Sequence, residues 1–340
     1  MMGYWNGMFF PLSMTTLHRS RIYADVNANR SVEALDQRFF YIHWSKIRYW
    51  IYGEVGKGGF GAVYKCRRMN DGQICAAKVW SRRKCFDDFK NELMLLTRLQ
   101  RFPNIIRLFG AVKMTYVSVG GPALILEYID PSGYRKMACK ANPDEIRFYM
   151  RELLIAIDVC HRNGIMHRDI KPDNLLIDLN RRRLRLIDFS SAKYYIPELS
   201  YSLHVGTRNY QAPELLLGYR TYDYSLDMFA FGCVFAELIF NYERFFNGED
   251  RSDALLEIMQ TLGTPSLQVY LSKYNITIGH EVRRILRPYA PTPFYEFVNS
   301  HNEHIVTANS LNLLENLLKY DHRVRFTAKE ALDHPYFKER

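Results

Sequence analysis

Sequence patterns typical of strands and of helices divide this chain into two unequal parts. Residues 47–126 contain short apolar segments typical of β-strands, interrupted by one helical pattern, whereas residues 131–338 have mainly helical periodicity. Between them, Leu124–Ile129 is an apolar strand pattern that ends in polar residues, which suits a hinge over residues 127–130. The division predicts an α+β fold with two lobes: a small β-rich N-terminal lobe with one main helix, and a larger, mostly helical C-terminal lobe.

Composition and charge exclude several classes of protein. The chain has 340 residues, of which 48% are hydrophobic, and these values suit a globular protein rather than a disordered one. No apolar run reaches the roughly 18–20 residues that a transmembrane helix needs. The six cysteines lack C-x-x-C spacing, which indicates a reducing compartment, and we expect a cytoplasmic location, a nuclear one, or both. The formal net charge of +10 favours acidic partners, and we expect no direct binding to nucleic acid or membranes.

The segment His167–Asn174 concentrates the side chains that phosphoryl transfer needs. Asp169 can accept the proton of an attacking hydroxyl, and Lys171 can neutralise charge on the transferring phosphate. Asn174 and Asp188, which follows Asp169 by nineteen positions, offer the oxygen ligands that Mg²⁺ prefers. Any one of these side chains alone is an ordinary surface-loop residue. Their joint occurrence at these spacings predicts three catalytic residues in the segment and a metal site formed by Asn174 and Asp188.

A glycine-rich segment, Gly56–Val63, has the pattern G-x-G-x-x-G-x-V. Glycines let a backbone approach phosphates closely. The pattern alone also fits a plain hairpin turn or a dinucleotide-binding loop, but strand-like segments flank it on both sides and no helix follows the third glycine. This context favours a hairpin that covers the phosphates of a nucleotide. Its predicted nucleotide-binding residues are Val55, Gly56, Lys57, Gly58, Gly59, Phe60, Gly61, Ala62 and Val63.

A lysine in an apolar strand follows the glycine-rich segment. Lys78 fits a surface lysine that extends from a sheet, but its apolar neighbours and its place downstream of the glycines favour a phosphate-binding lysine. Such a lysine needs a carboxylate partner. Glu92, fourteen positions later on a helical pattern, has the helix phase to supply it, although Asp87 and Asp88 lie nearby.

These motifs are similar to those of eukaryotic protein kinases. Longer stretches resemble more narrowly the casein kinase II catalytic (alpha) subunit family of the CMGC group. The stretches that carry this resemblance are Arg21–Asn27, Ile146–Met150, Gly164–Asp169, Leu184–Asp188, Tyr222–Met228, Lys319–His322 and His334–Phe337.

The resemblance implies a bilobal kinase domain over residues 47–338, preceded by an extension over residues 1–46 whose second half packs on it. It implies transfer of the ATP γ-phosphate to Ser/Thr hydroxyls of proteins, with Mg²⁺ and with GTP as an alternative donor. It implies an N-terminal segment, with Tyr23 and Val26, that keeps the activation loop active without phosphorylation. It also implies a regulatory beta-subunit dimer that completes a tetramer. Further nucleotide contacts are then expected at Ala76, Glu127, Ile129 and Leu176.

The magnesium loop departs from the family pattern. The family has Asp-Trp-Gly there, and this chain has Asp188, Phe189 and Ser190. Serine has a Cβ atom and resists backbone conformations that glycine permits. Because Asp188 is kept, we expect metal binding together with altered mobility of the loop.

Basic residues that give the family its preference for acidic substrates are fewer here. Asn91, His204 and Gln211 stand at positions where the family has cations. Recognition of an acidic side chain needs cations close by, so we expect reduced or altered acidic preference. The candidate substrate-recognition residues that remain are Arg82, Arg83, Lys84 and Arg208.

Two alternative functions stay open beside a constitutively active kinase. A pseudokinase or scaffold would keep the fold and bind partners without catalysis; Ser190 favours it weakly, and the retained polar site residues count against it. A CMGC kinase regulated by loop phosphorylation or by a partner is suggested by Gly206–Arg208 and by hydroxyl-rich residues of the activation segment.

Three further polar residues are predicted to be structural. Glu214 and Arg325 could form a buried ion pair that braces the C-terminal lobe. Asp227 begins an apolar helical pattern and could accept backbone hydrogen bonds from the catalytic loop.

Overall fold

The computed structural model describes residues 18–59, 61–80, 86–114 and 120–339. Its N-terminal lobe is a five-stranded antiparallel sheet with the strand order β1-β2-β3-β5-β4. The strands are β1 (Tyr49–Gly58), β2 (Gly61–Arg68), β3 (Ile74–Trp80), β4 (Leu108–Met114) and β5 (Gly121–Glu127). One long helix, α2 (Phe86–Leu99), lies between β3 and β4 in the chain. The predicted lobe of strands with one main helix is therefore confirmed.

Alternation of side chains explains the small core of this lobe. Ala62, Tyr64 and Cys66 alternate with less buried residues along β2 and pack with residues of β3, β4 and β5. Gly61 begins β2 because a side chain would not fit there: a Cβ atom on it would lie 1.9 Å from the carbonyl oxygen of Val79. The glycine therefore lets the β1–β2 hairpin lie directly against β3.

The C-terminal lobe consists mostly of helices. After α1 (Val32–Leu35) in the extension and α2 in the first lobe, the remaining helices are α3 (Gly133–Lys140), α4 (Pro143–Arg162), α5 (Pro213–Leu216), α6 (Ser225–Phe240), α7 (Arg251–Leu262), α8 (Pro265–Lys273), α9 (His280–Ile285), α10 (Ala308–Leu317) and α11 (Ala328–Leu332). The bilobal α+β fold is confirmed. Within the described residues, no helix has both the length and the hydropathy needed to cross a bilayer.

Two helices of this lobe follow directly from their local sequence. The N-cap of α4 is Asn142, whose side chain accepts the backbone N–H of Glu145, and Pro143 occupies the first helical position. Every residue of α6 from Leu226 to Phe240 is buried, as its apolar pattern predicts. Helix α6 is therefore the central support of the lobe.

Two short antiparallel sheets of two strands each present the catalytic loops between the lobes. Strands β6 (Ile165–Met166) and β9 (Lys193–Tyr194) form one, and β7 (Leu175–Asp178) and β8 (Arg183–Leu186) form the other. Residues 167–174 therefore connect β6 to β7, and residues 187–192 connect β8 to β9, so that the two loops lie side by side. The backbone N–H of Ile187 donates to the carbonyl of Asn174 at 3.0 Å, which ties one loop to the other.

Candidate active site

The predicted catalytic residues converge on one carboxylate. Oδ2 of Asp169 lies 3.0 Å from Nζ of Lys171 and accepts a hydrogen bond of 3.0 Å from Nδ2 of Asn174. Nδ2 of Asn174 also donates to the backbone carbonyl of Asp169 at 2.7 Å. The loop therefore holds this carboxylate in one orientation, as a base or an orienting group for a hydroxyl requires.

Asp227 fixes the backbone at the start of the catalytic loop, residues 167–174. Its carboxylate accepts the backbone N–H groups of His167 at 2.8 Å and Arg168 at 2.7 Å, and it lies 3.0 Å from Nε2 of His161. Burial raises the pKa of Asp227, but the hydrogen bond and charge of His161, with smaller contributions from the loop, hold that pKa below its usual value. The predicted structural role of Asp227 is confirmed.

Lys78 lies between two carboxylates. Its Nζ atom is 2.7 Å from Oε2 of Glu92 on α2 and 2.8 Å from Oδ1 of Asp188. Glu92, rather than Asp87 or Asp88, is thus the partner predicted from helix phase. Burial opposes the charge of Lys78, but the two carboxylates together raise its pKa above the usual value. Burial also raises the pKa of Asp188, but Lys78 lowers it more, so the carboxyl stays ionised.

A cleft of about 470 Å³ between the lobes collects most of the predicted nucleotide-binding residues. Those that line it are Gly56, Lys57, Gly58, Gly61, Ala62, Val63, Ala76, Lys78, Glu92, Glu127 and Leu176. Lys171, Asn174 and Asp188 line the same cleft. The glycine-rich hairpin, Lys78 and the loops that follow β6 and β8 therefore line the same cleft.

Some predicted nucleotide-binding residues lie elsewhere. Val55 is exposed on β1, Ile129 is buried beyond the end of β5, and Gly59 lies in the turn between β1 and β2; these three residues are not among the lining residues. Phe60 lies outside the described residues. Glu127 lines the cleft, but its carboxylate also accepts Nε of Arg185 at 2.6 Å, which helps to hold the hinge.

Several lining residues escaped prediction. Leu126 and Ile187 directly precede Glu127 and Asp188 in apolar strand segments, and this adjacency could have identified them. Val79 lies beside Lys78 in the same way. Asp173 lies inside the segment His167–Asn174, which could have identified it, whereas no motif singles out Ile106.

Thr207, which the sequence suggests only as a phosphorylation site of the activation segment, is a further candidate for the catalytic site itself. Its hydroxyl donates to Oδ1 of Asp169 at 2.8 Å and accepts from Nζ of Lys171 at 2.6 Å, and its backbone N–H donates to the same Oδ1 at 2.8 Å. Gly206 permits this approach with φ of +75°, since a Cβ atom there would lie 2.4 Å from the carbonyl oxygen of Arg168. Thr207 thus couples the activation segment to the catalytic loop.

The predicted metal ligands fit a hard cation. Asp188 supplies a carboxylate at the cleft, and Asn174 uses its amide nitrogen on Asp169, which leaves its oxygen Oδ1 as a ligand atom. Mg²⁺ commonly takes one or two protein oxygens and completes its shell with water and substrate phosphates. The pair therefore suits Mg²⁺ that arrives together with a nucleotide.

The structure describes one of the four candidate substrate-recognition residues. Arg82, Arg83 and Lys84 lie outside the described residues. Arg208 lies in an open pocket beside the activation segment, lined also by Arg251, Arg284, Asp250, Ser252, Glu281 and Ile285. The guanidinium group of Arg208 donates to the backbone carbonyl of Glu249. Cations and carboxylates therefore share this pocket.

Comparison with known families agrees with this geometry. Residues 49–337 match the protein kinase domain family. Proteins of this family transfer phosphate and generally use ATP with Mg²⁺. The match begins at the first residue of β1 and runs to the end of the helical lobe, so it covers both walls of the cleft. This chain therefore belongs to the protein kinase family.

Proposed function

We propose that this chain is a serine/threonine protein kinase of the casein kinase II alpha type, in the CMGC group. It transfers the γ-phosphate of ATP to Ser/Thr hydroxyls of protein substrates, with weakened preference for acidic sequences. The observation that carries the proposal is the contact of Thr207 with both Lys171 and Asp169, because it holds a lysine that lines the nucleotide cleft beside the carboxylate that would accept the proton of the substrate hydroxyl.

Each side chain has a distinct part in the transfer. Asp169 orients the substrate hydroxyl and accepts its proton, while Lys171 neutralises charge on the phosphate in the transition state. Lys78, held by Glu92, binds phosphate oxygens of the nucleotide. Mg²⁺ would be held by Asn174 and Asp188 and would neutralise charge on the β- and γ-phosphates.

Contacts of the N-terminal extension support activity without a loop phosphate. The backbone N–H of Ser20 donates to the hydroxyl of Tyr195 at 2.7 Å. Nδ2 of Asn27 donates to the carbonyls of Gly164 and Tyr195, both at 2.8 Å. The ring of Tyr23 packs edge-on against Tyr224. These contacts hold the start of the activation segment against the C-terminal lobe.

Neutral groups also accept the hydrogen bonds of Arg168, which directly precedes Asp169 in the chain. Arg168 donates to the carbonyl of Ser191 at 2.7 Å and to the hydroxyl of Tyr222 at 2.9 Å. That hydroxyl donates in turn to the carbonyl of Ser202 at 2.7 Å. Because Arg168 and Tyr222 are both buried, the activation segment is tied down without a phosphate group, which favours constitutive activity over regulation by loop phosphorylation.

The pocket around Arg208 supports weak acidic preference. Arg251 donates to the backbone carbonyls of Leu203 at 3.1 Å and Leu215 at 2.6 Å, so its guanidinium group is partly occupied. Asp250 and Glu281 in the same pocket offset the positive charge. Selection of a carboxylate needs cations in excess, and this pocket offers little excess.

A kinase assay on peptide arrays tests the proposal. Enzyme whose intact mass shows no phosphate should phosphorylate Ser and Thr peptides with ATP, with only weak selection for Asp or Glu after the acceptor. Arg208→Gln should weaken that selection further, while Arg101→Gln, an exposed arginine elsewhere, should leave the profile unchanged. Strong acidic selection by the wild type would refute the weakened preference, and activity that appears only after phosphorylation would refute constitutive action.

Three wider parts of the proposal rest on the sequence resemblance alone. They are docking of a regulatory beta-subunit dimer to give a tetramer, GTP as an alternative donor, and a cytoplasmic or nuclear location. The same peptide assay with GTP in place of ATP addresses the second part directly.

The activity should fall below about pH 7. Burial raises the pKa of Glu92 to about 7, against the opposing charge of Lys78. As pH falls through this value, Glu92 takes a proton and loses the charge that orients Lys78. Because kcat/KM reports ionisations of the free enzyme, its logarithm for ATP should decline with unit slope on the acid side.

Glu92→Gln is the control for this pH dependence. The variant should have lower kcat/KM with no acid limb in the same window, since the amide does not titrate. An identical acid limb in the variant would assign the titration to another group, such as a phosphate of the nucleotide.

A further inference from the structure

Ser190 makes a hydrogen bond that glycine at this position could not make. Its hydroxyl donates to Oδ1 of Asp188 at 2.6 Å, and its backbone N–H lies 3.3 Å from the same oxygen. Lys78 donates to Oδ1 as well, at 2.8 Å. Among the described residues, no hydrogen bond engages Oδ2 of Asp188. The donors on Oδ1 thus leave the second oxygen as the one for a metal.

The backbone of the loop accepts serine without strain. Asp188 has the left-handed conformation, with φ of +63°, whereas Ser190 does not have positive φ. A Cβ atom therefore causes no backbone strain at residue 190 in this conformation. The side chain of Ser190 is buried, so bulk water does not replace Asp188 as the hydrogen-bond partner of its hydroxyl.

Asn91 fixes the segment that carries Ser190. Its Nδ2 atom lies 3.3 Å from the carbonyl oxygens of Phe189 and Ser190 and 2.9 Å from that of Ala192. Asn91 is buried on α2, next to Glu92, so one helix anchors both the lysine partner and the magnesium loop. Helix α2 therefore fixes the segment that places the hydroxyl of Ser190 against Asp188.

We propose that Ser190 is a positioning residue for the metal ligand Asp188. Its hydroxyl keeps the carboxylate in one rotamer, so that Oδ2 is already oriented when Mg²⁺ arrives together with the nucleotide. Groups that hydrogen-bond to metal ligands typically change metal affinity about 10–100-fold when they are removed. The inference rests on the proposed function, since it requires magnesium at Asp188.

Magnesium titration of nucleotide binding tests this role without catalysis. A fluorescent ADP analogue is titrated onto the full chain at rising Mg²⁺ concentrations. Ser190→Ala should raise the Mg²⁺ concentration for half-maximal binding about tenfold, with magnesium-free nucleotide affinity unchanged within about twofold. Ser190→Thr, which keeps the hydroxyl, should restore the wild-type value.

Ser191→Ala and Asp188→Asn are the controls. Ser191 is the neighbouring serine, its hydroxyl does not contact Asp188, and its removal should leave the magnesium dependence unchanged. An unchanged magnesium dependence in Ser190→Ala would overturn the inference, and so would equal weakening with and without Mg²⁺, which indicates a structural role only. Asp188→Asn separates the two levels: if it too keeps wild-type magnesium dependence, the assignment of magnesium to this site fails.

Discussion

Asp169→Asn should lower the rate of peptide phosphorylation by about 10²–10⁴-fold, the range for loss of a general base. The carboxylate accepts hydrogen bonds from Thr207 on Oδ1 and from Asn174 on Oδ2, with Lys171 beside Oδ2. An amide fills the same space but cannot accept the proton of the substrate hydroxyl, and its NH2 group would face donors where the carboxylate has an accepting oxygen. Steady-state ATP turnover with a Ser peptide measures the loss, and binding of the fluorescent ADP analogue should stay within a few-fold of the wild type.

Asp144→Asn serves as the matched control, since this aspartate is exposed and pairs with Arg147 at the start of α4, away from the cleft. Its turnover should equal that of the wild type. The pseudokinase alternative makes the opposite prediction for Asp169: wild type and variant would both lack turnover while still binding nucleotide. Equal residual rates in the two proteins would therefore favour a scaffold and refute the kinase assignment.

Local spacing in the chain explains why much of this site could be predicted. Asp169, Lys171 and Asn174 lie within six residues, so any loop that carries one carries the others. Glu92 required one more step, the phase of a helix, and the 2.7 Å contact with Lys78 confirms it. Fold class followed from the same kind of pattern, because strand and helix periodicities differ over long segments.

Residues that join the site through tertiary contacts could not be predicted this way. Thr207 reaches Asp169 across 38 positions, and nothing in its neighbours distinguishes it from a phosphorylatable loop threonine. Arg251 and Arg284 join Arg208 only because α7 and α9 fold back beside the activation segment. Such pairings depend on the complete fold and have no local sequence signal.

Two residues that depart from the family pattern, and that sequence comparison alone treats as losses, make new contacts in the structure. Asn91 stands where a cation is usual, yet its amide holds three carbonyls of the magnesium loop. Ser190 stands where glycine is usual, yet its hydroxyl bonds to Asp188. A sequence comparison identifies what a substituted residue no longer provides, whereas the new partner is visible only in three dimensions.

The ion pair predicted between Glu214 and Arg325 is present and fully buried. Nη1 and Nη2 of Arg325 donate to the two carboxylate oxygens of Glu214 at 2.9 and 3.0 Å. The guanidinium group also donates to the carbonyls of Lys319, Tyr320 and Ser225. The pair thus links α5 to the start of α6 and to the segment after α10. Both terminal nitrogens of the guanidinium group have hydrogen-bond partners.

Arg325→Met should lower the free energy of unfolding by about 3–5 kcal/mol, because it leaves the carboxylate of Glu214 buried without a cation. Urea denaturation followed by fluorescence measures the change. Arg181→Met removes a surface pair with Asp178, away from Arg325, and should cost at most about 1 kcal/mol, which makes it the matched control. The double variant Arg325→Met/Glu214→Leu should recover part of the loss, since no charge stays buried. A loss below about 1 kcal/mol in Arg325→Met, similar to that of a surface pair, would show that the pair does not brace the C-terminal lobe.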